Sequence, residues 1–225
     1  MNMIKLSLYD VANLFYFTVT GLLMLVHLAT SQSHNRAFFN SSISSSLTLP
    51  STVIQPRQRL QFSFRTCHAG QLIHQQSADG SDSILYEVTD AGALSLTFSH
   101  GGTMDTVSMT SDSNLINNQW YSVDSQFVTG ELTVNVEQGP VLVESILVSN
   151  SSLRTYIWDL DLSGGSGVQV GVQFTGCILE GIGLPISDPD TVNNNVEWDV
   201  CPLEDLDYTG CGKYLCQHFF LFIQT

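Results

Sequence analysis

Basic residues are scarce in this chain. Its 225 residues carry seven Lys and Arg against 21 Asp and Glu, a formal net charge of −14. A surface so short of cations offers no basic stripe. It repels nucleic acid, heparin and anionic lipid head groups. Metal-binding cysteine motifs are missing as well: the five cysteines form no C-x-x-C pair and the six histidines are scattered, so four clustered zinc ligands cannot be assembled. No G-x-S-x-G elbow marks a serine hydrolase. After residue 31 no stretch carries a convincing 3.6-residue apolar period, which argues against helices.

Long apolar runs are also absent, with one exception at the N-terminus. Lys5 gives a weakly positive start, an apolar run spans Leu14 to Ala29, and Ala29 and Ser31 sit at −3 and −1 of a small-residue cleavage site before Gln32. That layout predicts a secretory signal peptide over residues 1–31. An uncleaved anchor is the competing reading, but 16 residues are short for a span that needs roughly 20. Removing 1–31 takes away Lys5 and Asp10 and leaves the net charge at −14. Export into an oxidising compartment makes the cysteines more apt to pair than to react. Cys177 then reads as half of a disulfide, with Cys201 its nearest cysteine in sequence.

What is present in the mature region is a series of short apolar runs punctuated by turn residues. "QRLQFSFRT" (58–66) puts Leu60, Phe62 and Phe64 on one face. "SILYEV" (83–88) and "ALSLTF" (93–98) flank "TDAG", a hairpin signal. "WYSVDSQFV" (120–128), "ELTVNVE" (131–137), "VLVESILV" (141–148), "RTYIWDLDL" (154–162) and "VQVGVQF" (168–174) continue the pattern. Ser-rich "NSSISSS" (40–46) is bracketed by Phe38, Phe39, Leu47 and Leu49 and reads as an edge strand and turn. Many short strands at this spacing predict an all-β sandwich or barrel. Residues 202–225 change character, with an acidic turn, two close cysteines and an apolar end, and read as a tail or the start of a following module.

The strands in order, with their punctuation, resemble a laminin G-like domain over residues 37–201. "FFNSSISSSLTLP" resembles that family's opening. "LQFSFRT…GQLIH" resembles its next pair of strands, and "DSILYEVTDAGALSLTF" the hairpin after them. "INNQWYSV" is similar to its Asn-x-x-Trp segment, with Tyr121 where His is usual. "ELTVNVE" and "VQVGV…FTGCILEGIGLPI" complete the series, closed by Cys201. The resemblance implies a jelly-roll sandwich of two antiparallel sheets, a Cys177–Cys201 disulfide, and Trp120 and Phe174 in the core.

Calcium is the cofactor the resemblance implies. In calcium-binding laminin G-like domains an acidic residue precedes the strand matched by "SILYEV", and Asp82 holds that place. A backbone carbonyl would come from near His100. The second acidic position aligns with Ser163, a departure that leaves Asp161 as the nearest carboxylate. Asp82, His100 and Asp161 are therefore the candidate metal residues. Sequons at Asn40 and Asn150 are candidate glycosylation sites. Cys67, Cys211 and Cys216 remain. Cys67 reads as a buried free cysteine, and Cys211 with Cys216 as a small loop of a following module.

Two functions follow. The first is a secreted, non-catalytic module for adhesion or matrix interaction with extracellular proteins or glycans, assisted by calcium. The alternative is a lectin-like or glycan-active domain on the same sandwich. Asp159 and Asp161 share a strand face at i, i+2, and Glu87 lies on another strand, so a paired-carboxylate site can be drawn. No sugar platform accompanies it among Trp120, Trp158 and Trp198. A hormone-carrier pocket between the sheets has no polar anchors pointing to it.

Overall fold

A computed structural model describes residues 35–50, 52, 54–55, 58–109, 114–128, 131–148 and 160–202. The signal peptide predicted over 1–31, Asn150, Trp158, Asp159 and the tail beyond Pro202 lie outside these residues.

Among the described residues, fourteen strands build two sheets. In chain order they are β1 (Arg36–Phe39), β2 (Ser46–Leu49), β3 (Leu60–Thr66), β4 (Gly70–Gln76), β5 (Ser83–Val88), β6 (Leu94–His100) and β7 (Thr103–Ser108). There follow β8 (Trp120–Val128), β9 (Glu131–Gln138), β10 (Val141–Val148), β11 (Val168–Val170), β12 (Gly176–Leu179), β13 (Val192–Asn194) and β14 (Glu197–Trp198). One sheet runs β10-β9-β8-β3-β12-β1-β14 and the other β13-β2-β11-β4-β5-β6-β7. Every pairing among these strands is antiparallel. This is the predicted jelly-roll sandwich, open at its edges.

Period-two alternation places the core between the sheets. Leu60, Phe62 and Phe64 of β3, Ile84, Tyr86 and Val88 of β5, and Leu132, Val134 and Val136 of β9 are all buried. Phe62 meets Tyr86 edge-on across the sandwich, with ring centroids 6.0 Å apart. Phe39 meets Phe174 at 6.2 Å in the same manner. Tyr86 brings a hydroxyl into the core and donates it to Ser125 Oγ at 3.1 Å. Burial pushes that phenol up to about 12, against the weaker opposing effect of the Ser125 bond, so it stays neutral.

Several sequence expectations need correction. Phe174 is fully buried, but Trp120 is only partly so and packs outside the inter-sheet core, on a cluster of Phe38, Cys177 and Cys201. Alternation explains the exchange: Tyr121, its neighbour on β8, points inward against Phe64. The strand predicted over 168–174 stops at Val170, because Gly171 turns away with φ 74° and an added Cβ there would sit 2.0 Å from the Phe39 ring. Ser-rich 40–46 resolves into the end of β1, a 3-10 turn over Ser41–Ile43 capped by Asn40, and the start of β2. Residues 160–162, drawn as the end of a strand, belong to no strand. Strand β7 was not foreseen.

The Cys177–Cys201 disulfide is present, with Cα atoms 5.8 Å apart. Cys67 is not a free thiol: it is disulfide-bonded. Among the described residues, strand β10 lies at one edge of its sheet and exposes Val141, Leu142 and Leu147.

Candidate binding rim around Asp82

Asp82 ends the turn between β4 and β5, and its side chain is where three loops meet. Turn residues set up its approach. In "SADGSD" (77–82), Gly80 takes φ 75°, and Asp79 Oδ1 accepts from Ser77 Oγ (2.8 Å), Ser81 N (3.0 Å) and Ser81 Oγ (2.8 Å). Ser77 Oγ in turn accepts from Asp82 N at 3.0 Å. The turn is therefore closed by its own side chains and delivers Asp82 inward, where it is 5% exposed.

From the β6–β7 turn, His100 Nδ1 lies 3.1 Å and Gly101 N 3.3 Å from Asp82 Oδ1. From the segment before β11, Asp161 N donates to Asp82 Oδ2 at 2.9 Å. Ser81 Oγ adds a contact at 3.3 Å. The Asp161 segment has a second anchor. Gln75, buried on β4, accepts from Ile54 N at 2.7 Å and donates to Leu162 O at 3.3 Å, while Leu162 itself is buried. "SGGSG" (163–167) is no slack insertion, since a Cβ on Gly165 would lie 2.0 Å from Gln76 O.

The electrostatics follow from these bonds. Burial raises the Asp82 pKa, but hydrogen bonds from Asp161 N–H, His100 and Gly101 N–H outweigh it and leave the carboxyl below its ordinary value. Hydrogen bonds from Ser81, then Ser77, hold Asp79 at about 2. Those from Ser163 lower Asp161 despite the nearby charges of Asp82 and Asp79. All three stay ionised at neutral pH.

The structure thus brings Asp82, His100 and Asp161 to one rim, as the sequence proposed, but in other roles. His100 meets Asp82 through its side chain, and Asp161 through its backbone N–H. A calcium shell needs oxygens facing the ion. Around Asp82, the N–H groups of Gly101 and Asp161 face the carboxylate where oxygens would be required. Among the described residues no group of three or more His, Cys, Asp or Glu side chains is arranged to hold a metal ion. In this arrangement the Asp82 carboxylate organises loops.

The three rim carboxylates are all lowered, so none of them is held protonated as a carboxylic general acid would be. Glu87 lies on β5, and Asp159, paired with Asp161 in the sequence reading, is outside the described residues. Asn40 accepts from Ser42 N (3.0 Å) and Ser42 Oγ (2.7 Å) through Oδ1. Sequence reasoning missed Asp79, whose Asp-Gly turn was a usable signal. It also missed Gln75, which carried none.

No family model and no curated protein matches this sequence. Solved structures do share its architecture. The LG1–3 region of the laminin alpha2 chain aligns with a TM-score of 0.55 at 17% identity, covering 75% of this chain and 35% of that one. Mouse laminin alpha1 chain domains LG4–5 align with a TM-score of 0.48 at 18% identity, over 75% of this chain and 44% of that one. This chain spans less than half the length of either. The first alignment establishes a laminin G-like fold, and at this identity it establishes the fold alone.

Proposed function

We propose that the protein is a secreted, non-catalytic binding module that engages extracellular proteins or glycans through the loop rim built on Asp82. One observation carries this reading. A carboxylate that is almost wholly buried is used to fix three separate loops at one end of a rigid sandwich, which is how scaffold folds present recognition surfaces. The disulfide-bonded Cys177, Cys201 and Cys67 suit an oxidising compartment, as the signal-like N-terminus does. Among the described residues, no helix is long and apolar enough to cross a membrane. The likeness of its fold to the LG1–3 region of the laminin alpha2 chain is in keeping with adhesion or matrix interaction as the setting.

The test is a binding screen of the secreted protein against arrayed glycans and extracellular matrix proteins, with and without chelator. We expect a hit that survives chelation and is lost when Asp82→Ala disorders the rim, with the fold kept by circular dichroism. Turnover of a polysaccharide substrate would overturn the module reading.

A further inference from the structure

Asn40 heads the sequon Asn40-Ser41-Ser42 just after β1, and its neighbours fix how the amide is turned. Its Oδ1 accepts from Ser42 N at 3.0 Å and from Ser42 Oγ at 2.7 Å. A backbone N–H can only donate, so the amide oxygen must be the atom facing Ser42, and Nδ2 faces the other way. Among the described residues no hydrogen bond uses that nitrogen. Other asparagines at this corner differ. Asn193, Asn194 and Asn195 donate Nδ2 to Val196 O (3.3 Å), Ser44 O (3.0 Å) and Ile43 O (3.3 Å), and none heads a sequon. We infer that Asn40 Nδ2 carries an N-linked glycan, which dresses the end of the sandwich opposite the Asp82 rim. The inference rests on the secretory reading of the protein.

The site takes a sugar without losing a bond. Attachment replaces one Nδ2 hydrogen and leaves Oδ1 with both of its donors. Ser41, Ser42, Ile43 and Ser44 around it are all exposed. The turn beneath is well anchored: Ser41 N donates to Thr175 Oγ1 at 3.1 Å, and Ser41 Oγ lies 2.7 Å from the same atom. Transfer draws on a lipid-linked oligosaccharide diphosphate of the secretory route. Nδ2 bonds to the sugar C1 and gives up one proton, the bond from C1 to the diphosphate oxygen breaks, and the lipid diphosphate leaves with the electron pair.

Strand register decides which end is dressed. Phe39, the residue before Asn40, pairs with Gly176, and Gly176 pairs with Thr66 at the end of β3. In the other sheet, β2 leaves the Asn40 turn at Ser46. Leu47 lies opposite Val170, which lies opposite Ile73, while Leu49, Val168 and Gln75 line up further along. The Asn40 turn therefore lies toward the Gly70 end of β4. Asp82 lies at the other end, since Gln76 pairs with Ser83. The seven residues of β4 separate the two ends by about 20 Å at roughly 3.3 Å per residue. A glycan at Asn40 leaves Asp82, His100 and Gly101 open to a partner.

The full-length protein is produced in a eukaryotic secretory host and taken from the medium. Trypsin with a Glu-specific protease cuts after Arg36, Arg57, Glu144 and Arg154, so peptides 37–57 and 145–154 hold one sequon each. Peptide N-glycosidase in heavy-oxygen water turns a glycosylated Asn into Asp carrying one heavy oxygen. Peptide 37–57 should run above its bare mass before the enzyme and carry the labelled Asp at position 40 after it. Asn40→Asp keeps the acceptor oxygens for Ser42, and Ser42→Ala keeps Asn40 but breaks the sequon. Each should lower the intact secreted mass by one glycan. Secreted protein whose peptide 37–57 stays at its bare mass overturns the inference and leaves the secretory reading standing. A chain retained in the cytosol with neither peptide modified overturns both. The wild-type peptide decides, so a variant that fails to fold leaves the test standing.

Discussion

At the scale of single residues, Asp82 couples a charge to the position of three loops. Asp82→Asn keeps the shape but exchanges one acceptor oxygen for a donor amide facing N–H groups. It should cost roughly 1–3 kcal/mol, the usual range for leaving a buried partner unsatisfied. Urea melts measure this directly. The pH dependence has a definite sign. The folded-state pKa of Asp82 is below its unfolded value. The stability it contributes is therefore present above about pH 4 and lost as pH falls through the folded value. The variant should show a shallower loss between about pH 5 and pH 2 than the wild type. Thermal melts in millimolar calcium and in chelator should coincide, because donors already face the carboxylate. A calcium-dependent rise abolished by Asp82→Ala would restore the metal reading.

At the scale of elements, the side of a strand on which an aromatic sits decides what its loss costs. Phe64→Ala removes a fully buried ring and should destabilise by about 3–5 kcal/mol. Trp120→Ala should cost less, because the indole is partly exposed and covers the Cys177–Cys201 cluster from outside. Its signature should instead be faster reduction of that bridge by dithiothreitol, followed by alkylation, as access to the sulfurs opens. Alternation also explains what could be read from the chain in advance. Strands β5, β8 and β10 match the sequence-derived limits residue for residue, since each begins and ends at turn residues that interrupt a period of two. Strand β7, "TMDTVS", escaped because it is an edge strand with little buried on either face and so leaves no apolar rhythm. Trp120 was misplaced by one residue of phase, which in a strand means the opposite face. At the rim, Asp82 was visible through family resemblance. Its donors were not, because a backbone N–H has no sequence signature.

At the scale of the molecule, one bridge closes the end of the sheet that holds both chain termini of the sandwich. Strand β1 lies between β12 and β14, and the Cys177–Cys201 bond ties the last of these to the body. Replacing both cysteines with alanine should lower stability by about 2–5 kcal/mol and reduce the secreted yield, measured by denaturant melts and by immunoblot of the medium.

The β10 edge has a colloidal counterpart. Three exposed apolar side chains on a sheet edge invite strand-to-strand pairing between molecules. What opposes it at neutral pH is long-range repulsion between bodies that each carry a formal charge of −14. That repulsion vanishes near the sequence isoelectric point of about 4.4. Titrating toward that pH should therefore raise light scattering while the near-ultraviolet circular dichroism is still native, and salt at neutral pH should act in the same direction by shortening the screening length. Leu142→Lys should delay the turbidity without shifting the melt. The protein's shelf life in solution would then be set at the margin of one sheet, by a balance of charge and stickiness that its folding equilibrium never senses.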